Sequence, residues 1–440
     1  MKITETGVWI LAAIAAVGFA GAAFLGFDVS ELVILALFSV MTLILGQMLA
    51  SDRDRSWLPG LLLAGFMVKM LGSGLRYGVY LYIYLGQGDA GRYHEIGTSL
   101  ADVWRSLQVP SLEGSRGSGT RVLEMITGFL YTPFEPSLLG GFLIFAMVGF
   151  LGQVLFYAAF RRALPDGQLN LYAVLILFLP GLAFWPSSIG KEAVMVLLLG
   201  LAAYGAVRLF QQYHVKWIVV LAIGVLGSAA IRPHIGALVV AALVGAILLA
   251  RAPKGTASRV RRWALVAVCG VGLFLAISLS ADHFGLDPAD LELEPFLDEL
   301  ARRTGQGGSA VEGEAVQSIA DIPQAILRVM FRPLIYEGFS PLALASGIEG
   351  TALLSLILWK LPAMVRNAGL LRRRPYLLYS LLFVIGFVVI FSPVLNLGIL
   401  ARQRTQMLPM LLALVVGLGW APTEDEDEHA LETTLAARAT

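Results

Sequence analysis

The sequence predicts an all-α polytopic membrane protein, with about twelve transmembrane helices and two large extracytoplasmic loops. Hydrophobic residues make up 57% of the 440 residues, charged residues make up only 14%, and the mean hydropathy is +0.76. A soluble domain carries roughly 25% charged residues. Apolar segments close to the ~20 residues that cross a bilayer recur along nearly the whole chain, which predicts many spans rather than one anchor.

The predicted spans form one integral membrane domain over residues 1–420. The first span is followed at once by a second, which favours a transmembrane helix over a cleaved signal peptide. The acidic segment after the last span, residues 421–440, is predicted to be a disordered cytoplasmic tail. The twelve spans are expected at about 7–27, 29–50, 58–86, 138–160, 168–184, 192–210, 216–231, 235–250, 263–281, 341–359, 375–394 and 405–420.

The distribution of basic residues predicts the orientation. Short loops on one face hold 17 of the 32 Lys and Arg residues. Because short cytoplasmic loops carry an excess of Lys and Arg, this face and both termini are expected in the cytoplasm of a bacterial cell, with the protein in its inner membrane. The long loops at about 87–137 and 283–340 then lie on the extracytoplasmic face.

Several functional classes have no support in the sequence. The single cysteine, Cys269, lies in an apolar run, so neither a disulfide framework nor a cysteine metal site is expected. A net charge of +1 gives no reason to expect nucleic acid, and no nucleotide-binding loop is present. No cluster has the spacing of a dedicated metal site. We therefore expect no cofactor; a divalent cation shared between Asp89 and a substrate phosphate is the alternative left open.

The first long loop opens with the motif "GDAGRYHEIGTSLA", residues 88–101. Gly88 and Gly91 permit a tight backbone, and the apolar spacing that follows predicts an amphipathic helix on the membrane surface. Asp89 would then lie just above the bilayer, where a carboxylate can take a proton from a hydroxyl as a general base; His94 is the second candidate. The alternatives are helix capping by Asp89 and a solvated interface position for His94.

The motif "FWPSSIGKEA" interrupts a strongly apolar stretch. Ser187 and Ser188 offer a cap for the next helix, and Lys191 and Glu192 begin it. A cation gains nothing from the dipole at a helix N-terminus, whereas an anion does. We therefore expect a phosphate between Lys191 and the free N–H groups. The alternatives are capping by Glu192 and an ion pair of Lys191 with Glu192 or Asp89.

Other basic residues fall on the same predicted face, at the ends of spans or of the second loop. Arginine binds phosphate oxygens bidentately, so the set predicts a diphosphate site, with contact to anionic lipids as the alternative. Lys69 and Arg76 lie inside the third predicted span and either line the same cavity or pair with acidic neighbours. The predicted site adds to Lys191 and Glu192 the residues Arg232, His234, Arg332, Arg402 and Arg404.

These motifs carry a resemblance to known families. "GDAGRYHEIGTSLA" resembles the acidic loop of GT-C-type membrane glycosyltransferases, which transfer sugars from polyprenyl-phosphate or -diphosphate carriers. "FWPSSIGKEA", "RPHIG" and "NLGILARQRTQMLP" look more like segments of O-antigen and exopolysaccharide polymerases. The resemblance covers about a fifth of the chain. The acidic loop follows the third span here, whereas in the sugar transferases it follows the first, which favours the polymerase-like branch.

The resemblance implies a GT-C-like fold and glycosyl transfer in surface polysaccharide assembly. The expected partners are a polyprenyl-linked sugar donor, a saccharide acceptor, the lipid bilayer and other polysaccharide-assembly proteins, with no nucleic acid. A polymerase of repeat units is the first expectation, and a transferase of single sugars is the second. A transporter or flippase for lipid-linked oligosaccharide is the alternative from another class, although no internal repeat of the kind found in transporters is evident.

Overall fold

A computed structural model describes residues 28–50, 56–108, 110, 118–251, 322–338, 340–394 and 396–420, with isolated positions at 263, 266 and 270. The predicted span at 7–27, nearly all of the span at 263–281, the loop segment 283–321 and the acidic tail at 421–440 lie outside these residues. Within the described ranges the regular elements are all helices, and no strand is present. The predicted all-α class is therefore confirmed.

The helices are numbered in chain order through the described residues. The first eight are α1 (Val29–Leu49), α2 (Leu58–Gly78, continued by a π-helical turn, Val79–Ile83), α3 (Asp89–Arg105), α4 (Ser118–Tyr131), α5 (Leu138–Ala163), α6 (Leu169–Phe178), α7 (Pro180–Phe184) and α8 (Lys191–Gln211). The others are α9 (Val215–Ile231), α10 (Pro233–Leu249), α11 (Ile322–Phe331), α12 (Pro341–Arg366), α13 (Leu370–Arg373), α14 (Pro375–Phe391), α15 (Leu397–Gln403) and α16 (Leu408–Gly419). Short 3-10 turns cover Ile335–Glu337 and Arg404–Gln406.

Five of the described helices are long and apolar enough to cross a membrane: α1, α2 with its π-helical end, α5, α8 and α12. They coincide with five of the twelve predicted spans. The shorter apolar helices α6, α9, α10, α14 and α16 have 10–17 residues and fall on five more of the predicted positions. These helices are compatible with a multi-pass membrane protein. The number of twelve spans stays a prediction.

One predicted span is not a continuous helix. The segment expected at 168–184 divides into α6 and α7, because Leu179 has an extended backbone with φ −61° and ψ 124°. Pro180 explains the break, since proline lacks an N–H group and disfavours the helical conformation in the residue before it. The break frees backbone groups inside the protein, and these groups need partners.

Two buried charged side chains provide those partners. Lys69 of α2 is fully buried, and its Nζ donates a hydrogen bond of 2.7 Å to the carbonyl oxygen of Leu182. Glu349 of α12 is 8% exposed and accepts a hydrogen bond from the backbone N–H of Gly181. A charged group inside a membrane protein is costly unless it has such contacts. Both side chains therefore hold the broken helix between α2 and α12.

The centre of the bundle is a close contact between α5 and α8. A Cβ atom on Gly152 would lie 2.5 Å from the backbone carbon of Val196, and one on Gly200 would lie 2.7 Å from the carbonyl oxygen of Gly152. The two backbones touch where these glycines meet, as small residues allow in membrane helices. This contact fixes α8 along its length, and α8 carries the first residues of the candidate site.

Candidate functional site

A buried carboxylate joins three distant parts of the chain. Glu192, the second residue of α8, is 2% exposed. Arg232 Nη2 donates to one carboxylate oxygen at 2.9 Å, and Arg402 Nη2 donates to the other at 2.8 Å. Each oxygen of one acid therefore binds a different arginine. Because two cations surround a single carboxylate, the cluster keeps a positive charge.

The start of α8 differs in one detail from the sequence expectation. The helix begins at Lys191 as predicted, but neither serine caps it, since the capping position is Gly190. Ser187 Oγ instead donates to the carbonyl oxygen of Ala183 at 2.5 Å. Ser187 lies three residues after the end of α7, and its hydroxyl binds the carbonyl four residues earlier, which is a common local alternative to capping. The N-terminal N–H groups of α8 therefore lack a serine cap.

Proline places Arg232 beside Glu192. Arg232 is the single residue between α9 and α10, with a non-helical backbone at φ −142° and ψ 89°. Pro233 follows as the first residue of α10, a position that proline favours because its missing N–H has no partner there in any helix. The interruption directs the Arg232 side chain, which is 12% exposed, inward to the carboxylate.

Beside this cluster lies a cavity of about 900 Å³. We call it the arginine cavity, because Arg76, Arg332 and Arg402 line it. Asp89 and Trp185 line it too, together with residues from the start of α12 and from α15. Arg402 contacts both Glu192 and the cavity, so it connects the buried cluster to the open space.

Arg76 is a site residue that the sequence left unassigned. Its guanidinium carbon lies 5.2 Å from the ring centre of Phe184 and 5.0 Å from that of Trp185. Its Nε and Nη1 are buried and have no hydrogen-bond partner among the described residues. Its charged neighbours are Arg402 and Glu192. The only sequence signal was a basic residue inside a span, which does not reveal the direction in which the side chain points.

Asp89 lies at the mouth of the arginine cavity. It is the first residue of α3, which confirms the predicted helix, and its side chain is 61% exposed with Arg92 Nη2 at 3.4 Å. Gly88 before it has φ +152°, a conformation that favours glycine. A Cβ on Gly91 would lie 2.3 Å from the hydroxyl of Tyr80. Both glycines are therefore needed to hold the carboxylate at this position.

Lys191 lies at the edge of the Glu192 cluster. Its Nζ is 3.4 Å from the Thr120 hydroxyl of α4, and the surrounding charges include Arg232, Glu192 and Asp89. It forms no ion pair with Glu192 or Asp89, although the sequence offered both alternatives. The lysine charge therefore adds to the positive potential near Asp89.

Arg332 and Arg404 are adjacent but have different environments. Arg332 lines the arginine cavity, and its Nε donates to Glu337 at 2.7 Å. Arg404 is 1% exposed, is not among the residues that line the cavity, and donates to the backbone carbonyl of Arg332. Glu349 is the acidic residue whose charge acts on Arg404. Arg404 therefore holds the backbone of Arg332 in place without lining the cavity itself.

Neither predicted histidine lines the arginine cavity. His94 Nδ1 lies 3.1 Å from the hydroxyl of Tyr131, and burial lowers the pKa of His94 below its usual 6.5. Burial also raises the pKa of the Tyr131 hydroxyl, which therefore stays protonated and can donate to the ring. His234 packs against Phe391 with ring centres 6.0 Å apart. The structure brings Asp89, Arg332 and Arg402 together at one cavity and both histidines elsewhere.

Among the described residues, no group of three His, Cys, Asp or Glu side chains is close enough to hold a metal ion. A divalent cation bridging Asp89 and a substrate phosphate stays an open alternative.

Comparisons with known proteins add no relative: no family model, curated protein or solved structure matches this chain.

Proposed function

We propose that this protein is a membrane glycosyltransferase that polymerises sugar units from a polyprenyl-(di)phosphate carrier at the extracytoplasmic face of a bacterial inner membrane. One observation carries the proposal: three arginines and an exposed carboxylate share one cavity at the predicted outer end of the bundle. This arrangement combines an anion-binding surface with a proton acceptor. Transfer from a lipid-borne phosphate donor needs both.

Charge balance favours a diphosphate over a neutral ligand. Glu337 neutralises Arg332. Arg332 can therefore orient a bound phosphate, but it adds no net charge to the site. Asp89 is likewise paired with Arg92, at 3.4 Å. The remaining cations are Lys191, Arg76, Arg232 and Arg402, and the remaining carboxylate is that of Glu192, which leaves an excess of positive charge. A diphosphate ester would compensate this excess, and arginine forks match phosphate oxygens in geometry.

The chemistry follows from these positions. The acceptor hydroxyl approaches Asp89, whose carboxylate takes its proton as the new bond from the acceptor oxygen to the anomeric carbon forms. The bond from the anomeric carbon to the carrier phosphate breaks, and the diphosphate leaves with the electron pair. Arg76 and Arg402 stabilise the charge that grows on that phosphate. The carrier is already activated, so this transfer uses no nucleotide or redox cofactor.

Glu192 has a positioning role in this proposal. A carboxylate would repel a diphosphate, but its two oxygens are occupied by Arg232 and Arg402. The Nη1 of Arg232 and the Nε of Arg402 are buried and have no hydrogen-bond partner in the described part of the chain. Glu192 therefore aligns the two guanidinium groups, and of the two only Arg402 lines the cavity in which the phosphate would bind.

A transporter of lipid-linked oligosaccharide is the second candidate, because Lys69 and Glu349 are charged residues buried within spans. The contacts of Lys69 and Glu349 indicate a structural role, which favours the transferase over the transporter. Both bind backbone groups at the break between α6 and α7, and neither lines the arginine cavity. A transport path would need polar side chains that face open space through the depth of the bundle.

The first experiment compares lipid-linked and surface glycans with and without the gene. Loss of long chains, with complete single repeats on the outer face, supports the polymerase. A repeat shortened by one sugar indicates the transferase of single sugars. Complete units retained on the cytoplasmic face would contradict both and favour the transporter. Complementation with the Asp89→Asn variant and with the control Glu95→Gln, an exposed acid on the same helix, tests the site itself.

A further inference from the structure

The described residues line a second cavity, of about 640 Å³, at the other end of α8. α8 begins beside the arginine cavity at Lys191 and ends at this second cavity with Gln211. A helix of 21 residues is about 30 Å long, which equals the thickness of the hydrocarbon core. The two cavities are therefore separated by about the thickness of the hydrocarbon core.

The wall of the second cavity combines cationic and polar residues with apolar ones. It contains no acidic residue among those described. Arg161 donates to the carbonyl oxygen of Leu49 at the end of α1, so part of this charge serves a helix terminus. The cationic and polar residues of the wall are Arg161, Arg162, Arg208, Tyr204 and Gln211, and the apolar residues are Met48, Leu49, Ala158, Pro165 and Leu169.

Arg162 is fixed by a reciprocal pair of hydrogen bonds. Its Nε donates to Gln211 Oε1 at 2.8 Å, and Gln211 Nε2 donates to the backbone carbonyl of Arg162 at 2.7 Å. These contacts connect the ends of α5 and α8. They leave the two terminal nitrogens of the guanidinium group without a partner in the described part of the chain, at the rim of the cavity.

Arg208 is fixed in a different way. Its guanidinium carbon lies 4.1 Å from the ring centre of Trp217, and Lys216 Nζ lies 4.7 Å from the same ring. Stacking on an aromatic face leaves the N–H groups in the guanidinium plane free to bind an acceptor. Arg208 forms no ion pair with any described residue. Tryptophan is also common at the interface between membrane and water.

We propose that this second cavity binds the phosphate headgroup of an anionic phospholipid from the leaflet opposite the arginine cavity. The phosphate lies between Arg162 and Arg208, and one acyl chain lies along Met48 and Leu169. Basic pockets between transmembrane helices bind such headgroups. The apolar wall favours a lipid over a soluble phosphate, which would gain nothing from it. The proposal is independent of the proposed glycosyl transfer.

Thermal unfolding of the full chain in neutral detergent tests the site. We expect phosphatidylglycerol to raise the midpoint, and phosphatidylcholine and inorganic phosphate at equal concentration to leave it unchanged. The double variant Arg162→Gln/Arg208→Gln should bind phosphatidylglycerol about tenfold more weakly or worse, because two charge-assisted contacts are lost. Arg366→Gln, an exposed arginine at the same end of the bundle that does not line the cavity, is the matched control.

Two results would overturn the proposal. An undiminished effect of phosphatidylglycerol in the double variant would mean that the arginines only neutralise helix ends. An equal effect of inorganic phosphate on the original protein would replace the lipid by a soluble phosphate ligand. If the double glutamine variant does not fold, Arg162→Lys/Arg208→Lys keeps the charge and removes the bidentate geometry. Native mass spectrometry of that variant should then show weaker retention of phosphatidylglycerol than the Arg366→Lys control.

Discussion

Glu192 and Arg402 are 210 residues apart in the chain, and their side chains meet at 2.8 Å. The contact brings α15 against the start of α8, and Arg232 completes it from the break between α9 and α10. The three residues come from three motifs that the sequence predicted to lie on one face. Their meeting at one carboxylate gives that prediction a physical basis: two arginines held close together need an acid between them.

Glu192→Gln should destabilise the protein. The substitution leaves Arg232 and Arg402 close together without a counter-charge, and breaking a buried ion pair in this way costs on the order of 3 kcal/mol. The free energy of unfolding in detergent measures the effect. Glu135→Gln is the control, because Glu135 is 86% exposed and its pair with Arg105 is worth less than about 1 kcal/mol. Equal effects of the two substitutions would contradict a structural role for Glu192.

Arg76→Gln should impair transfer much more than it lowers stability. Arg76 has no carboxylate ion pair to lose, so the loss of its contacts with Phe184 and Trp185 costs on the order of 1 kcal/mol. A leaving diphosphate would lose one of its donors, which costs roughly 100-fold in rate. The measurement is the transfer of labelled sugar from a polyprenyl diphosphate donor by purified protein. Arg366→Gln controls for loss of a positive charge elsewhere. Normal transfer by the Arg76 variant would remove this residue from the site.

Asp89→Asn should lower the transfer rate by roughly 100-fold or more, because the acceptor hydroxyl loses its base. Glu95→Gln on the exposed side of the same helix should have little effect. Comparison of the Asp89→Asn and His94→Gln variants distinguishes the two predicted bases. If Asp89→Asn stays active and His94→Gln does not, then His94 takes the proton and the cavity is not the place of reaction.

His94 should make the stability depend on pH. Burial lowers the pKa of His94 below 6.5, so the folded state favours the neutral ring more than the unfolded chain does. The stabilisation is complete above about pH 6.5, and it is lost as the pH falls through the lowered pKa. Melting temperatures at pH 7.5 and 5.5 should therefore differ, and His94→Gln should reduce the difference. An unchanged difference would show that other groups cause it.

Arg404→Gln should destabilise the fold rather than weaken donor binding alone. Arg404 is fully buried, is not among the residues that line the arginine cavity and interacts electrostatically with Glu349. The double variant Arg404→Gln/Glu349→Gln should recover part of the lost stability, because it removes both charges together. Unfolding midpoints of the four proteins form the required cycle. A stable Arg404→Gln variant with no affinity for the donor would instead restore Arg404 to the substrate site.

The sequence was most informative where residue types have unusual positions. Basic residues at the ends of apolar stretches pointed to Arg232 and Arg402, and Gly88 and Gly91 pointed to a tight backbone on both sides of Asp89. The sequence was less informative about the direction in which each side chain points. Nothing in the local pattern distinguishes Arg402, which lines the cavity, from Arg404 two residues later, which does not. The position of each residue around the helix axis decides which of the two arginines faces the cavity. In this short irregular segment, tertiary packing sets that position.

The same limit explains the span at 168–184. Its composition fits a transmembrane helix, and only Pro180 signals the break. Whether a proline bends or interrupts a helix depends on partners for the freed backbone groups. Those partners, Lys69 and Glu349, come from spans that are distant in the sequence. Arg76 was left unassigned for a similar reason, because the direction of a side chain inside a span depends on its neighbours.

The contact of Gly152 and Gly200 has a consequence for movement. α5 and α8 interlock backbone to backbone, so α8 can neither slide nor turn past its neighbour without a collision. The arginine cavity and the second cavity are therefore kept at a constant separation across the membrane. If the proposed glycolipid donor needs a wider opening, elements other than α5 and α8 must move, and α15, which lines the arginine cavity and carries Arg402, is such an element.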